Sequence, residues 1–156
     1  YLRSIVMDIV VNSWFSEYLE EGTNGDQLKL YKQFLRKFLQ TKGYIITIRN
    51  GQLDNKLAKL EKKYQNHRNV EYLKRIKYVY SHIYYSRKFK KVETVSLSPV
   101  LSTIFETDTH LAKDRFLFEA ARQTDDKTII TTDSRLQESM NGKEGIKILL
   151  LQEYIN

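Results

Sequence analysis

Residues 108–136, DTHLAKDRFLFEAARQTDDKTIITTDSRL, constrain the fold of this chain more than any other stretch. They read as a helix, a short polar turn and a buried strand that ends on a carboxylate. In the helical part Leu111, Asp114, Phe118 and Ala121 fall three, four and three residues apart, so they share one face. An ionised carboxylate on the face that meets the core is costly unless a cation or several donors meet it. Asp114 therefore needs a partner. The run 128–132, TIITT, is β-branched throughout and delivers a second carboxylate, Asp133, at its C-terminal end. That is the edge at which a parallel α/β sheet binds ligands. Two acids converging with no evident basic mate point to a divalent metal.

The remainder alternates strand-like and helix-like segments. The apolar run 4–7 reads as the first, central strand and ends on Asp8, which places a third acid at the same edge. Residues 9–21 carry Val10, Val11, Trp14, Phe15, Tyr18 and Leu19 at helical spacing, and Gly22 closes that helix. Asp8 taken alone suits an N-cap as well as a site; the like position of Asp133 favours the site. A second helix is expected over 26–42, a strand over 44–48, and a third helix after Asn50-Gly51 with Leu53, Leu57, Leu60 and Tyr64 on one face. Asp54 falls beside that stripe and reads as surface. A long basic helix runs to about residue 88, a strand covers 91–97, and Pro99, the only proline, turns the chain towards a short helical turn at 100–105. Asp108 is expected to cap the helix that carries Asp114. A short helix at 134–140 and a strand at 146–151 complete the chain. This order predicts an α/β fold in one domain, 1–156, with a central parallel sheet of about five strands covered by helices on both faces through right-handed crossovers.

Composition narrows the chemistry. There is no cysteine, which removes disulfides, thiolate ligands and thiol nucleophiles. His67, His82 and His110 show no paired ligand spacing, so a metal would be Mg²⁺ or Mn²⁺ held by oxygen. No apolar run approaches bilayer length and no signal peptide is recognisable, so no membrane partner and a cytoplasmic location are expected. Between residues 56 and 91 stand twelve Lys/Arg against Glu61 and Glu71, a balance of +10 in a chain of net charge +7, so the rest carries −3. The same segment holds six of the eleven tyrosines, Tyr64, Tyr72, Tyr78, Tyr80, Tyr84 and Tyr85. Cations interleaved with aromatic rings suit phosphates and unstacked bases, although a lysine-rich helix can also be a solvated face whose tyrosines belong to the core. The outer face, with Lys74, Arg75 and Lys77, is the candidate RNA platform.

Asp8 after an apolar strand, Asp114-Arg115 followed by Phe-Leu-Phe-Glu-Ala-Ala, and Ile129-Ile130-Thr131-Thr132-Asp133 with Ser134 and Leu136 together resemble the PIN-domain ribonucleases of the VapC-like type. The resemblance spans nearly the whole chain in order, and its specific part is 108–136. It implies a metal-dependent endoribonuclease in which Asp8, Asp114 and Asp133 hold Mg²⁺ or Mn²⁺ and act in catalysis. A role as toxin or defence effector, with an antitoxin or other protein regulator and a homodimer as partners, fits the same resemblance. Ser134 and Thr132 would orient a water or a phosphate oxygen, Ser134 serving equally well as a turn cap. Arg115 would bind a phosphate or pair with a neighbouring acid, pairing being the preferred reading, and Lys74, Arg75 and Lys77 would hold the RNA backbone. The family carries Thr or Ser and then Asn directly after its first acid, where this chain has Ile9-Val10 and brings Asn12 and Ser13 a turn later. It also carries an acid on the helix after the second strand, where this chain has Lys56 and Leu57; Asp54 and Asp108 remain open as a fourth ligand.

Two other classes compete. A catalytically degenerate RNA-binding module would bind RNA without metal and cut nothing. A regulatory domain would pair Asp114 and Asp133 with basic side chains inside the fold. A nucleotide-binding enzyme of the doubly wound type would need a G-x-G-x-x-G or G-x-x-x-x-G-K-[ST] loop, and neither is present.

Overall fold

The computed structural model describes residues 6–156, so Ser4 and Ile5 of the expected first strand lie outside the described residues. Five short strands form one all-parallel sheet: β1 (Ile9–Val11), β2 (Ile45–Ile48), β3 (Phe89–Val92), β4 (Thr128–Thr131) and β5 (Lys147–Leu150), in the order β3-β2-β1-β4-β5. Every residue of β1, β2 and β4 is buried, as strands covered on both faces require. Side chains alternate between the two layers: Ile9, Val11 and Ile130 face one, Val10, Ile46 and Ile129 the other.

On the first layer lie α1 (Trp14–Glu17), α2 (Gly25–Leu39), α3 (Gln52–Tyr64), α4 (Val70–Val79) and the C-terminal α9 (Leu151–Ile155). A π-helical turn, Tyr80–Tyr84, follows α4 and sends Tyr80, Ile83 and Tyr84 inward. On the second layer lie α5 (Pro99–Thr107), α7 (Arg115–Arg122) and α8 (Ser134–Met140); the single turn α6 (Thr109–Ala112) leads into α7. The chain therefore winds from β1 to β2 to β3 under one layer, crosses to β4, and winds to β5 under the other. The winding reverses between β1 and β4, and the crevice beyond the C-terminal ends of those two strands is where an open α/β sheet binds ligands. The expected fold class holds. Among the described residues no helix is long and apolar enough to cross a membrane.

Trp14 fixes that edge. Its ring is fully buried between Phe15, Tyr18, Tyr31 and Phe34, and its indole N–H donates to the Ile130 carbonyl on β4 at 2.9 Å. The link ties α1 to the strand that leads to Asp133. Trp14→Phe orphans a buried carbonyl and leaves a void, and is expected to cost about 2–4 kcal/mol, read as a lower urea midpoint at unchanged slope.

The N-terminal part differs from the expected order. The strand is Ile9–Val11 and follows Asp8, and the helix expected over 9–21 is reduced to Trp14–Glu17. Pairing decides this: Ile9 sits opposite Ile45 on β2 and Thr128 on β4, neighbours that local periodicity does not encode. The third strand is likewise Phe89–Val92 in place of 91–97, because Ile45 to Ile48 on β2 pair with Phe89 to Val92.

Candidate functional site

Because β1 follows Asp8 and does not precede it, Asp8 stands at the opposite edge of the sheet from the one expected. Its Oδ1 accepts the Tyr44 N–H at 2.9 Å just before β2, and its own N–H donates to Asp126 Oδ2 at 2.8 Å just before β4. Both neighbours precede their strands, so Asp8 belongs to the N-terminal edge; the register sets it level with Lys127, six residues before Asp133, or about 20 Å away at a rise of about 3.3 Å per residue. Asp8 is therefore corrected from site acid to a staple of three strand starts.

Asn12 takes the place at the C-terminal end of β1. It is buried, its amide N–H donates to Thr131 Oγ1 at 2.9 Å, and its Oδ1 accepts the Trp14 N–H at 3.2 Å. Around it opens a crevice of about 290 Å³ lined by Asn12, Ser13, Glu17, Gln52, Lys56, Lys113, Asp114, Phe116, Thr132 and Asp133. Asp114 and Asp133 thus come together as expected, at the point where the winding reverses.

Asp114 stands in the break between α6 and α7. Asp108 caps α6, accepting the His110 and Leu111 N–H groups, and so starts the turn that carries Asp114 into the crevice. The Asp114 side chain is only 6% exposed, caps nothing, and makes no hydrogen bond or ion pair with any described residue. Burial pushes its carboxyl up to about 6; the Lys113 ammonium pulls it back and the Asp133 carboxylate adds to the rise. Asp133 caps α8 through one oxygen, Oδ1, which accepts the Arg135 and Leu136 N–H groups at 3.0 and 3.3 Å. Its Oδ2 has no partner among the described residues. Ser134 is exposed at the start of α8 and does not line the crevice. Arg115 pairs with Glu119 at 3.2 Å, the pairing expected for it.

Glu17, Lys56 and Lys113 complete the crevice. Lys56 Nζ lies 3.4 Å from Glu17 Oε1, so a basic group and its counter-ion stand on the rim facing the two aspartates. Sequence reasoning missed Glu17 and Lys113. Glu17 was hidden inside a helix expected to be longer, and Lys113 is marked only by being adjacent to Asp114. Asp54, expected at the surface, is 4% exposed and paired with Lys91 Nζ at 2.9 Å. Asp108 is occupied in capping. Neither supplies a further ligand, and among the described residues no group of three or more Asp, Glu or His is arranged to hold a metal ion.

The donor set nonetheless fits a hard cation. Mg²⁺ is commonly bound by one or two carboxylates, with waters and substrate phosphate completing its shell. Asp114 and the free oxygen of Asp133 offer that number in a space large enough for a hydrated ion beside a phosphate.

The basic segment divides. Tyr64, Tyr72, Tyr80 and Tyr84 are core, and their hydroxyls are taken by Glu21 N–H, the Leu19 and Leu57 carbonyls and Asp54. Tyr78 and Tyr85 are exposed, and Tyr85 donates to Glu61. The three cations expected to act together do not share a face. Lys74 and Arg75 line a groove against α2, whereas Lys77 lines a cleft against α3. At about 100° per residue the two positions from Arg75 to Lys77 turn the side chain about 200° round α4, to another side.

No family model matches the chain, and no curated protein or solved structure shows significant similarity to it.

Proposed function

We propose that the crevice between β1 and β4 binds Mg²⁺ or Mn²⁺ through Asp114 and Asp133 and hydrolyses RNA phosphodiester bonds, as a metal-dependent endoribonuclease resembling the PIN-domain enzymes. The observation that carries this reading is a buried carboxylate without a partner, beside a second carboxylate with a free oxygen, at the ligand-binding edge of the sheet. A bound divalent cation supplies a water of lowered pKa and positive charge for the phosphate oxygens. The protein's own part is to hold the two carboxylates, to meet the phosphate with Lys56 and Lys113, and to orient oxygens with the Thr132 hydroxyl. The reading sets the reaction in the cytoplasm and leaves the crevice as the place where an antitoxin-like regulator would act.

A second reading has its own observation. With Asp8 at the far edge, Asn12 in its place and Lys56 on the rim, the crevice has fewer carboxylates than expected, which favours an RNA-binding module that does not cut. Labelled RNA incubated with Mn²⁺ and the wild type, Asp114→Asn or Asp133→Asn separates the two. Cleavage that falls about a hundredfold or more in each variant, as loss of several kcal/mol of metal-borne stabilisation demands, supports the nuclease. Asparagine is itself a good N-cap, so Asp133→Asn keeps α8 intact. Equal cutting by all three proteins overturns the assignment, and no cutting by the wild type leaves the binding module.

A further inference from the structure

We infer that the groove between α2 and α4 is a separate, metal-independent site for a single RNA strand, with Lys32, Arg36, Lys74 and Arg75 on the phosphates and Tyr78 under a base. The identity of the strand rests on the proposed function; the site itself rests on charge and geometry.

Lys32 and Arg36 stand one turn apart on α2, and Lys74, Arg75 and Tyr78 face them from α4. Only four lysines and arginines among the described residues are paired with a carboxylate, Arg49 with Glu93, Lys56 with Glu17, Lys91 with Asp54 and Arg115 with Glu119, so what sets the groove apart is the gathering of four unpaired cations on two facing helices. The four in the groove have no carboxylate within 4.0 Å among the described residues, and Glu71 is the one acid on its walls. Like charges gathered on two packed helices repel, and a polyanion relieves that repulsion while releasing its own counterions.

Two details favour a nucleic acid over an acidic peptide. The Arg75 guanidinium lies over the Tyr72 ring at 4.8 Å, with its Nε shielded from water and without an acceptor among the described residues. A guanidinium held this way keeps its planar fork ready for phosphate and loses little freedom on binding. Tyr78 is 45% exposed, and its ring is stacked on His82 at 4.1 Å and 22°. Backed on one face, it offers the other to a base, and such stacking is tolerant of sequence. The groove shares no residue with the Asp114 crevice, so occupancy does not require the cation.

The test is fluorescence anisotropy of a labelled single-stranded RNA in EDTA, across a salt series. The proteins are the wild type, Lys32→Glu/Arg36→Glu, Lys74→Glu/Arg75→Glu, Tyr78→Ala, and Lys143→Glu/Lys147→Glu as a control of equal charge change. Each groove pair is expected to weaken binding roughly tenfold or more and to lower the log–log salt slope by about 0.7 for each phosphate that is no longer neutralised. Tyr78→Ala is expected to weaken it roughly tenfold at unchanged slope. The control should bind as the wild type does. Lys32 and Arg36 are exposed, so that pair keeps the test valid if the α4 pair fails to fold, which circular dichroism shows. Groove variants that bind like the control overturn the proposal, as does polyglutamate displacing the RNA at equal charge concentration, or a wild type that needs Mn²⁺ to bind. Binding that follows these expectations without any cleavage in Mn²⁺ removes the nuclease and leaves the groove.

Discussion

Asp114→Asn is expected to make the protein more stable at neutral pH and, on the proposed nuclease reading, to lower RNA cleavage about a hundredfold or more. In the folded protein the Asp114 carboxyl is raised to about 6 from its ordinary 3.8, by burial first and by Asp133 in addition, with Lys113 opposing. Between those two values the folded state holds a proton that the unfolded chain has given up, so the contribution of this group to stability falls as pH rises through that window. Above pH 6 the destabilisation is complete, about 2–3 kcal/mol from the size of the shift. An isosteric amide carries no charge to desolvate. The variant should therefore melt about 5–10 °C above the wild type at pH 8, with the gap closing by pH 4. Adding Mn²⁺ at pH 8 should raise the wild type and leave the variant unmoved, because a ligand bound by the native state alone stabilises it by mass action. Melting curves at pH 4, 6 and 8, with and without Mn²⁺, check all of this. A variant less stable than the wild type at pH 8 would mean that Asp114 already has a partner, and the cation site would lose its foundation.

The gain on losing Asp114 explains what the sequence could and could not disclose. The features readable from local pattern were those whose cause is local. Asp114 fell on an apolar stripe, Asp108 and Ser134 lay at helix starts, and TIITT read as a buried strand; the structure keeps them, except that β4 ends at Thr131 with Thr132 exposed beyond it, and the helix breaks at Asp114 so that the carboxylate turns into the crevice. What was not readable depended on partners far away in the chain. Val6-Met7 and Ile9-Val10-Val11 flank Asp8 with similar apolar content, and pairing with Ile45 and Thr128 selects the second as strand. That choice exchanges Asp8 for Asn12 at the candidate site and brings Glu17 and Lys56 to its rim. The tyrosines of the basic segment were ambiguous for the same reason: Tyr72 and Tyr80 are satisfied by the Leu19 and Leu57 carbonyls, many residues away.

Asp54 is the second case, and its removal is expected to be strongly destabilising. Like Asp114 it is a buried carboxylate, 4% exposed, but here burial is more than offset. Burial pushes the carboxyl up, while the Asn50 N–H at 2.9 Å, the Lys91 ammonium at 2.9 Å and the Tyr84 hydroxyl at 2.8 Å together hold it below the ordinary carboxylate range. Through these partners Asp54 joins the end of β2, the start of α3, the π-turn and β3. Asp54→Ala strands the Lys91 charge and the Tyr84 hydroxyl, and should cost about 3–5 kcal/mol, nearer the lower figure because Lys91 is 30% exposed and can reach water. Asp54→Leu combined with Lys91→Leu should recover part of that loss, since the apolar pair leaves no charge behind. The acid response separates Asp54 from Asp114. A lowered folded pKa means that the stabilisation is present above the unfolded value and is lost as pH falls through the folded one, so Asp54 begins to fail only below about pH 4. Urea midpoints across pH 3–8 should therefore show the Asp54→Ala deficit constant above pH 5 and shrinking below pH 4, the reverse of the Asp114→Asn gain. Were both variants to shift stability in the same direction at neutral pH, the distinction between a carboxylate satisfied by the fold and one held for a ligand would fail.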